Sequence, residues 1–185
     1  MRGPRVFIET ERLKLRDWTD ADAEAFATLN GDPRVMEFFP KMLTRAESDA
    51  QIASIRAFLT ANGYGLYAAE EKASGRFLGF IGLSRPSFEA PFMPAVEIGW
   101  RLAREAWGSG YATEGARAVA ADGFNRVGLD ELVSFTAEWN RPSRRVMEKI
   151  GMTHDPADNF DHPRLPAGHK LRRHVLYRLK RRDLH

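Results

Sequence analysis

Apolar and polar residues alternate in some segments of the chain and recur every three to four positions in others, which predicts strands and helices respectively. Alternation around Leu13 and Leu15 predicts a half-buried strand over Ile8–Asp17. An apolar stripe then predicts a first helix, capped by Thr19 or Asp20 and stopped by Gly31-Asp32-Pro33. The chain therefore begins with a strand that leads into a helix.

The next segment has clearer start and stop signals. Thr44, with Glu47 three residues later, has the form of a capping box, and the helix it begins should end at Asn62-Gly63. Two apolar runs, Leu66–Glu70 and Phe77–Ser84, flank a polar stretch that contains a glycine. They predict a hairpin of two antiparallel strands.

The remaining pattern predicts strands and helices in alternation. The connection Arg85–Pro94 carries three prolines and is expected to be a surface loop rather than core, although it contains Phe88 and Phe92. Met152–Leu171 is polar and is expected to be loop. The other expected elements are a strand over Ala95–Leu102, a helix from Ala112 to Val127 whose small residues pack close to a sheet, a strand over Leu132–Ala137, a helix over Asn140–Ile150 and a strand over Val175–Lys180. Together they predict one α/β domain over residues 1–185 with a mixed sheet.

Composition narrows the class of protein. Hydrophobic residues make up 43% of the chain and charged residues 29%, which is typical of a globular domain. There are no cysteines, so disulfides, thiolate metal sites and cysteine nucleophiles are excluded. No apolar run approaches the roughly 18 residues of a membrane span, and Met1–Glu11 lacks the apolar core of a signal peptide. We therefore expect a cytoplasmic protein without a membrane partner.

The net charge of +3 is unevenly distributed. Between His169 and His185 a single acid, Asp183, stands among seven basic residues: Lys170, Arg172, Arg173, Arg178, Lys180, Arg181 and Arg182. A basic end of this kind can bind nucleic acid. The alternation of Val175, Tyr177 and Leu179 favours a last strand with solvated arginines instead, so nucleic acid is not the expected partner. If that last strand is exposed, it makes a homodimer plausible.

The strongest indication of a ligand-binding site is a short glycine turn, Gly108-Ser109-Gly110, that leads directly into a helix. Glycines leave the backbone N–H groups of the turn open, and the helix start adds free donors, so the segment can cradle a phosphate. A nucleotide-triphosphate loop is excluded because no Lys-Ser or Lys-Thr pair follows the glycines. A dinucleotide loop is disfavoured because Thr113 stands where that fingerprint has its third glycine.

Several motifs in this order resemble the GNAT superfamily of N-acetyltransferases, and more narrowly its ribosomal-protein N-terminal acetyltransferases. Glu105 stands where the general motif has Gln or Arg. The matching runs are Glu97-Ile98-Gly99-Trp100-Arg101-Leu102, Glu105-Ala106-Trp107-Gly108-Ser109-Gly110-Tyr111-Ala112-Thr113-Glu114, Asn140-Arg141-Pro142-Ser143 and Glu148-Lys149-Ile150-Gly151-Met152.

The resemblance implies a GNAT domain with a mostly antiparallel sheet that splays at the cofactor strand, and about four flanking helices. It implies acetyl-CoA as cosubstrate and no metal. The residues that it places on the cofactor are Ile98, Trp100 and Leu102 by their backbone, Trp107, Gly108, Ser109, Gly110, Tyr111, Ala112 and Thr113 in the cradle, and Asn140 and Ser143 on the next helix. The implied reaction is transfer of an acetyl group to a primary amine, at a protein N-terminus or on a small molecule.

Two side chains are the catalytic candidates. Glu97 is the candidate base, because burial beside an apolar strand would raise its pKa, and an exposed surface glutamate is the alternative. Glu138 is a second, poorer candidate. Ser143 is the candidate acid for the leaving sulfur, and its alternative is an ordinary residue in a helix that Asn140 caps. A non-catalytic acyl-CoA-binding module also fits the cradle.

Late histidines and loop aromatics have plausible structural roles. The spacing of His154, His162, His169 and His174 matches no metal-ligand pattern, so loop-ordering histidines are favoured over a metal or proton relay. Four phenylalanines are candidates for the wall of the acceptor site or for core packing: Phe38, Phe39, Phe88 and Phe92.

Overall fold

The computed structural model describes residues 3–184. Met1 and Arg2, from the segment tested for a signal peptide, and His185, from the basic C-terminal segment, lie outside the described residues. The helices are α1 (Asp22–Gly31), α2 (Arg45–Asn62), α3 (Tyr111–Asp122) and α4 (Arg141–Lys149). The strands are β1 (Val6–Glu9), β2 (Leu13–Arg16), β3 (Leu66–Glu71), β4 (Phe77–Ser84), β5 (Glu97–Leu102), β6 (Glu131–Ala137), β7 (Thr153–His154), β8 (Phe160–Asp161) and β9 (Arg173–Lys180).

All nine strands join one mixed sheet in the order β1-β2-β3-β4-β5-β6-β9-β7, with β8 also paired to β9. Every pairing is antiparallel except that of β5 with β6. The parallel pair holds a single register match, Glu97 with Val133, whereas β4 and β5 match over six residues. The predicted α/β class with a mostly antiparallel sheet that splays at β5 is therefore confirmed.

Two hydrophobic layers cover the two faces of the sheet. On one face, Ala116, Val119 and Ala120 of α3 and Met147 of α4 pack on strand residues such as Ile98. On the other face the packing comes from α1 and α2, with Phe26, Leu29, Ile52 and Ile55 against Ala68 and Phe80. The helices thus clamp the sheet from both sides and leave the β5–β6 junction at its centre.

Elements with strong local signals form as predicted. The Thr44 hydroxyl accepts from the N–H of Glu47, whose carboxylate accepts in return from the N–H of Thr44, which completes the capping box. The helix α2 that follows ends at Gly63 in the left-handed conformation, with φ of 70°. The β3–β4 hairpin turns at Gly75, also with positive φ.

The prediction of a single strand over Ile8–Asp17 is wrong, because the chain turns back between β1 and β2. The N–H of Thr10 donates to the carbonyl of Leu13 at 2.9 Å, and the Thr10 hydroxyl accepts from the N–H of Leu13 at 2.9 Å. These bonds close the turn, so that Ile8 pairs with Leu15 in an antiparallel hairpin. The alternating pattern was real, but it belongs to two strands.

The prediction that Thr19 or Asp20 caps the first helix is also wrong. Ala21 precedes α1, and within residues 3–184 no side chain caps it. Asp22 lies inside the first turn, where its carboxylate accepts from the N–H and hydroxyl of Thr19 at 2.8 and 3.0 Å. The same carboxylate binds Arg16, so this ion pair decides where the helix starts.

Helix α3 packs as closely on the sheet as its small residues predicted. A methyl group at Gly115 would lie 2.3 Å from Cδ1 of Ile81 on β4. The helix is shorter than the predicted Ala112–Val127, because a π-helical turn over Gly123–Val127 replaces its last part. Gly128 then ends that turn with φ of 85°.

The last strand is longer than predicted and is not exposed. One edge of β9 pairs with β6 and the other pairs with β7 and β8, two short strands inside the Met152–Leu171 segment that was expected to be loop. Because both edges of β9 are paired within the chain, the argument for a homodimer through an exposed last strand no longer holds. Arg178 binds Glu131 and Asp158, each at 2.8 Å, so part of the basic charge is neutralised within the chain.

No helix within the described residues is both long and apolar enough to cross a bilayer.

The close approach of β3 to β4 predicts a cost for any side chain at Gly82. Its Cβ would lie 2.1 Å from the carbonyl oxygen of Gly65 and 2.6 Å from Cα of Leu66, both backbone atoms that have little room to move. We expect Gly82→Ala to lower the free energy of unfolding in urea by about 1–3 kcal/mol. The control is Gly31→Ala at the end of α1, where a Cβ meets nothing within 4 Å. Equal stabilities of the two variants would contradict this packing.

Candidate active site

A gap opens in the sheet where β5 and β6 separate. The N–H of Val133 donates to the carbonyl of Val96 at 3.0 Å, and Glu97 pairs with Val133 at the closed end of the gap. Beyond this point the two parallel strands have no matched residues within the described chain. The gap therefore widens toward Leu102 and Ala137, the carboxyl ends of β5 and β6.

The edge of β5 that faces the gap carries unused backbone groups. Backbone groups of alternate residues in a strand point the same way, and Val96 points toward β6. Ile98, Trp100 and Leu102 therefore point toward the gap, while β4 pairs with the other edge. The carbonyl of Leu102 also accepts from the Trp107 indole at 2.9 Å. The edge can hydrogen-bond an extended polar chain laid between the strands.

The glycine turn lies at the open end of this edge. Gly108 and Gly110 have φ of 73° and 83°, a left-handed conformation that favours glycine. A methyl group at Gly108 would meet no atom within 4 Å. Gly110 immediately precedes α3, and no side chain in the described residues caps the helix. The N–H groups of Tyr111, Ala112 and Thr113 have no acceptor within the helix. The turn has the open geometry that the predicted anion cradle requires, and its binding of an anion stays a prediction.

Residues distant in sequence hold the cradle in place, and the sequence analysis missed them. Nη1 of Arg12 donates to the carbonyl of Ser109 at 2.8 Å, and its guanidinium binds Glu114 on α3 at 2.6 Å. Thr10 donates to the same carboxylate at 2.6 Å. The Arg12 guanidinium also lies 4.6 Å from the ring centre of Tyr111. The β1–β2 turn thus braces the loop, and only the charge complementarity of Arg12 and Glu114 hinted at it.

The first turn of α4 borders the gap on the β6 side. Asn140 is buried and caps the helix: its Oδ1 accepts from the N–H of Ser143 at 3.3 Å, and its Nδ2 donates to the Thr136 hydroxyl at 2.8 Å. These two bonds orient the Asn140 amide. Ser143 is half-buried, and its hydroxyl donates to no acceptor in the described residues. It is therefore free to bond a ligand.

Glu97 lies at the closed end of the gap, on the sheet face covered by α1 and α2. Glu97 is half-buried, and desolvation of its carboxyl raises its pKa to about 7, while a hydrogen bond from the Ser84 hydroxyl at 3.3 Å acts in the opposite direction. Within the described residues no cation forms an ion pair with Glu97. Glu138 lies at the opposite, open end, one residue beyond β6. Glu97 thus combines a position at the closed end of the gap with a pKa near neutrality.

Loop aromatics from both halves of the molecule line this face. Phe38, between α1 and α2, packs against Ala137, Leu165 and Leu171 on the far side of the gap. Phe39, its neighbour, lies under the guanidinium of Arg101, 4.1 Å from its ring centre. The α1–α2 loop therefore crosses from one half of the sheet to the other.

The expectation that Arg85–Pro94 stays outside the core is wrong for its aromatic residues. Phe88 lies 5.6 Å from Phe135 and Phe92 lies 5.0 Å from Phe160, between ring centres. Both rings join a small cluster with Val133 and Leu176. The prolines keep the backbone at the surface while the two phenylalanines turn inward.

The late histidines have structural partners. His154 stacks on Tyr177 and bonds Asn159 at 2.7 Å, and the His169 ring accepts from the N–H of Leu171 at 3.1 Å. His174 is buried beside His162, and burial lowers its pKa to about 4. Among residues 3–184 no group of three His, Asp or Glu is placed to hold a metal ion.

Two shallow cavities lie away from the cradle. One of about 320 Å³ is lined by Pro94, Val96 and Val133, beside the closed end of the gap. The other, of about 440 Å³, lies along α3 between Thr10 and Leu184.

Comparisons with known proteins agree with this geometry. Residues 12–153 match the family model of the acetyltransferase (GNAT) domain. An uncharacterized Bacillus subtilis protein, YkkB, is 35% identical over 146 residues, 78% of this chain and 84% of that one. The FsC-acetyl coenzyme A-N(2)-transacetylase of Aspergillus fumigatus is 31% identical over 80% of this chain and 65% of its own. The crystal structure of a GNAT-family acetyltransferase from Bacillus anthracis matches with a TM-score of 0.76 at 25% identity, over 94% of this chain and 97% of that one.

The environment of Glu97 predicts an unusual titration. We expect its side-chain carboxyl carbon to titrate in NMR spectra with a midpoint near pH 7, because burial disfavours the charged form. Ser84→Ala should raise the midpoint further, since it removes the hydrogen bond that lowers this pKa. Glu47, whose pKa Lys41 lowers to about 2, gives an internal comparison. A Glu97 midpoint near 4.5 in the folded protein would contradict the burial.

Proposed function

The chain belongs to the GNAT acetyltransferase family, and on that premise we propose that it transfers the acetyl group of acetyl-CoA to an α-amine by direct attack within a ternary complex. The observation that carries the proposal is Glu97, a carboxyl with a pKa of about 7 at the closed end of the β5–β6 gap. Support for the cofactor's place comes from the open cradle at Gly108 and the free backbone edge of β5.

The pKa of Glu97 matches an α-amine better than a lysine. An α-ammonium has a pKa of about 7.7 and a lysine ammonium about 10.4. Proton transfer to a base of pKa about 7 is therefore uphill by about 1 kcal/mol for the first and about 4.6 kcal/mol for the second. Glu97, directly or through a water, is suited to take the proton of an α-amine.

The transfer itself makes one bond and breaks one. The neutral amine nitrogen bonds to the thioester carbonyl carbon and releases one proton to water as the amide forms, and the carbon–sulfur bond breaks to leave the coenzyme thiolate. Ser143, whose hydroxyl has no acceptor in residues 3–184, gives the thiolate its proton in this proposal and regains one from water. Asn140 positions Ser143 by accepting the 3.3 Å bond from its N–H.

The cofactor contacts follow the same geometry. The N–H groups from Gly108 to Thr113 hold the pyrophosphate, and Trp107 fixes the loop to β5 through Leu102. The backbone of Ile98, Trp100 and Leu102 holds the pantetheine arm. Between protein N-termini and small-molecule amines we favour a peptide α-amine, in line with the motif resemblance to the ribosomal-protein branch.

A matched pair of peptides tests the proposal. One peptide has a free N-terminus and no lysine, and the other has the same sequence with a blocked N-terminus and one lysine. With acetyl-CoA we expect mass spectrometry to show acetylation of the first at a kcat/KM at least tenfold above the second. This kcat/KM should rise with pH as Glu97 loses its proton near pH 7 and level off only above the α-ammonium pKa of about 7.7. A preference for lysine would contradict the α-amine assignment.

Variants test the catalytic roles of Glu97 and Ser143, and a complete lack of acetylation also has a defined interpretation. Glu97→Gln should lower kcat by about 10²-fold or more and remove the ionisation near pH 7 from the pH profile, leaving that of the α-amine, whereas Glu138→Gln should do neither. Ser143→Ala should lower kcat more than it raises KM for acetyl-CoA; an unchanged kcat removes Ser143 from the mechanism. If no amine is acetylated while CoA still binds, the protein is an acyl-CoA-binding module instead.

A further inference from the structure

Two arginines among residues 3–184 are almost fully buried, and within that range only one of them has a carboxylate partner. Arg16 is 5% exposed and Arg101 is 9% exposed. Arg16 binds Asp22 through two bonds of 2.8 and 2.9 Å and Glu70 through one of 2.6 Å. Within the described residues Arg101 forms no ion pair at all. A buried cation without an anion is costly, so its retention calls for a reason.

The neighbours of Arg101 hold it in place without neutralising it. Its Nη1 donates to amide oxygens, to Asn30 at 2.7 Å and to Gln51 at 3.4 Å. Its Nε is buried and has no hydrogen-bond partner. The guanidinium lies 4.1 Å from the ring centre of Phe39 and 5.3 Å from that of Phe80. Although burial lowers its pKa to about 10, the side chain stays charged at neutral pH.

Arg101 shares a strand face with the candidate base. Side chains alternate along β5, so Glu97, Gly99 and Arg101 point to the same side, where Ser84 and Phe80 on β4 pair with Glu97 and Arg101. A methyl group at Gly99 would meet only Oε1 of Glu97, at 3.8 Å. The strand face thus has a base at one end, a cation at the other and open space between them.

We propose that Arg101 is the acceptor-specificity residue and binds a carboxylate of the amine substrate, while the amine lies at Glu97. The inference rests on the proposed function of the same site. Four strand residues separate the two positions by about 13 Å between Cα atoms. Side chains shorten this to on the order of 10 Å, which about three residues of extended peptide span. The acceptor is therefore a peptide with a carboxylate near its third residue.

Four tripeptides with a free N-terminus and no lysine test this binding in the wild-type protein. Their third residue is Glu or Gln, and their C-terminus is a free acid or an amide, so the set separates a side-chain carboxylate from a terminal one. We expect both the Glu amide and the Gln acid to exceed the Gln amide by about tenfold or more in kcat/KM. If only one of the two exceeds it, the carboxylate source is that one.

The Arg101→Gln variant should lose this preference. All four peptides should then react at the rate of the Gln amide, with CoA affinity and thermal unfolding close to those of the wild type. Arg104→Gln is the matched control, since it removes the same charge from an exposed residue, and it should keep the preference. Arg101→Lys should restore part of it, because the charge returns without the planar fork.

The outcomes separate this inference from the function on which it rests. Acetylation of all four peptides at equal rates by the wild type overturns the inference and leaves the proposed function standing. Acetylation of none, together with other α-amines, overturns the proposed function. If Arg101→Gln fails to fold, N-blocked Glu and Gln peptides are compared as inhibitors of the wild type, and equal inhibition overturns the inference.

Discussion

The active site depends on the separation of β5 from β6 after a single matched pair of residues. Strands that end their pairing leave backbone groups without partners, which is costly unless water or a ligand satisfies them. Here the unpaired edges lie at the centre of the sheet, where α1, α2, α3 and α4 pack on both faces and hold the strands in place. The two layers keep the strands apart, and the gap runs from the glycine turn at Gly108 to the carboxyl of Glu97.

Local signals predicted those parts of the fold that form from local interactions. The Thr44 capping box, the hairpin turn at Gly75 and the positive-φ glycine turn before α3 involve residues within a few positions of one another, and each occurs as expected. The parts that were missed depend on distant partners. Asp22 overrides Thr19 because Arg16 binds it, and Glu114 braces the cradle through Arg12, 102 residues away. No periodicity in one sequence encodes such pairings.

Burial explains why the charged residues of this site differ in behaviour. Exposed pairs such as Arg45 with Asp49 neutralise charge at little cost. Glu97 and Arg101 lie on one strand face without oppositely charged partners among the described residues. Burial therefore raises the pKa of Glu97 and lowers the pKa of Arg101. The sequence pattern singled out Glu97 as a candidate base but gave no sign of the burial of Arg101, which arises from packing by α1, α2 and their connecting loop.

The central claim is that the cradle and the β5 edge form one continuous coenzyme site. Amide NMR spectra recorded during titration with CoA test it directly. The account predicts the largest shifts at residues 108–113 together with the N–H groups of Trp100 and Leu102, which face the gap. Shifts concentrated instead along the outer groove of α3, at Arg117 and Ala121, would contradict it.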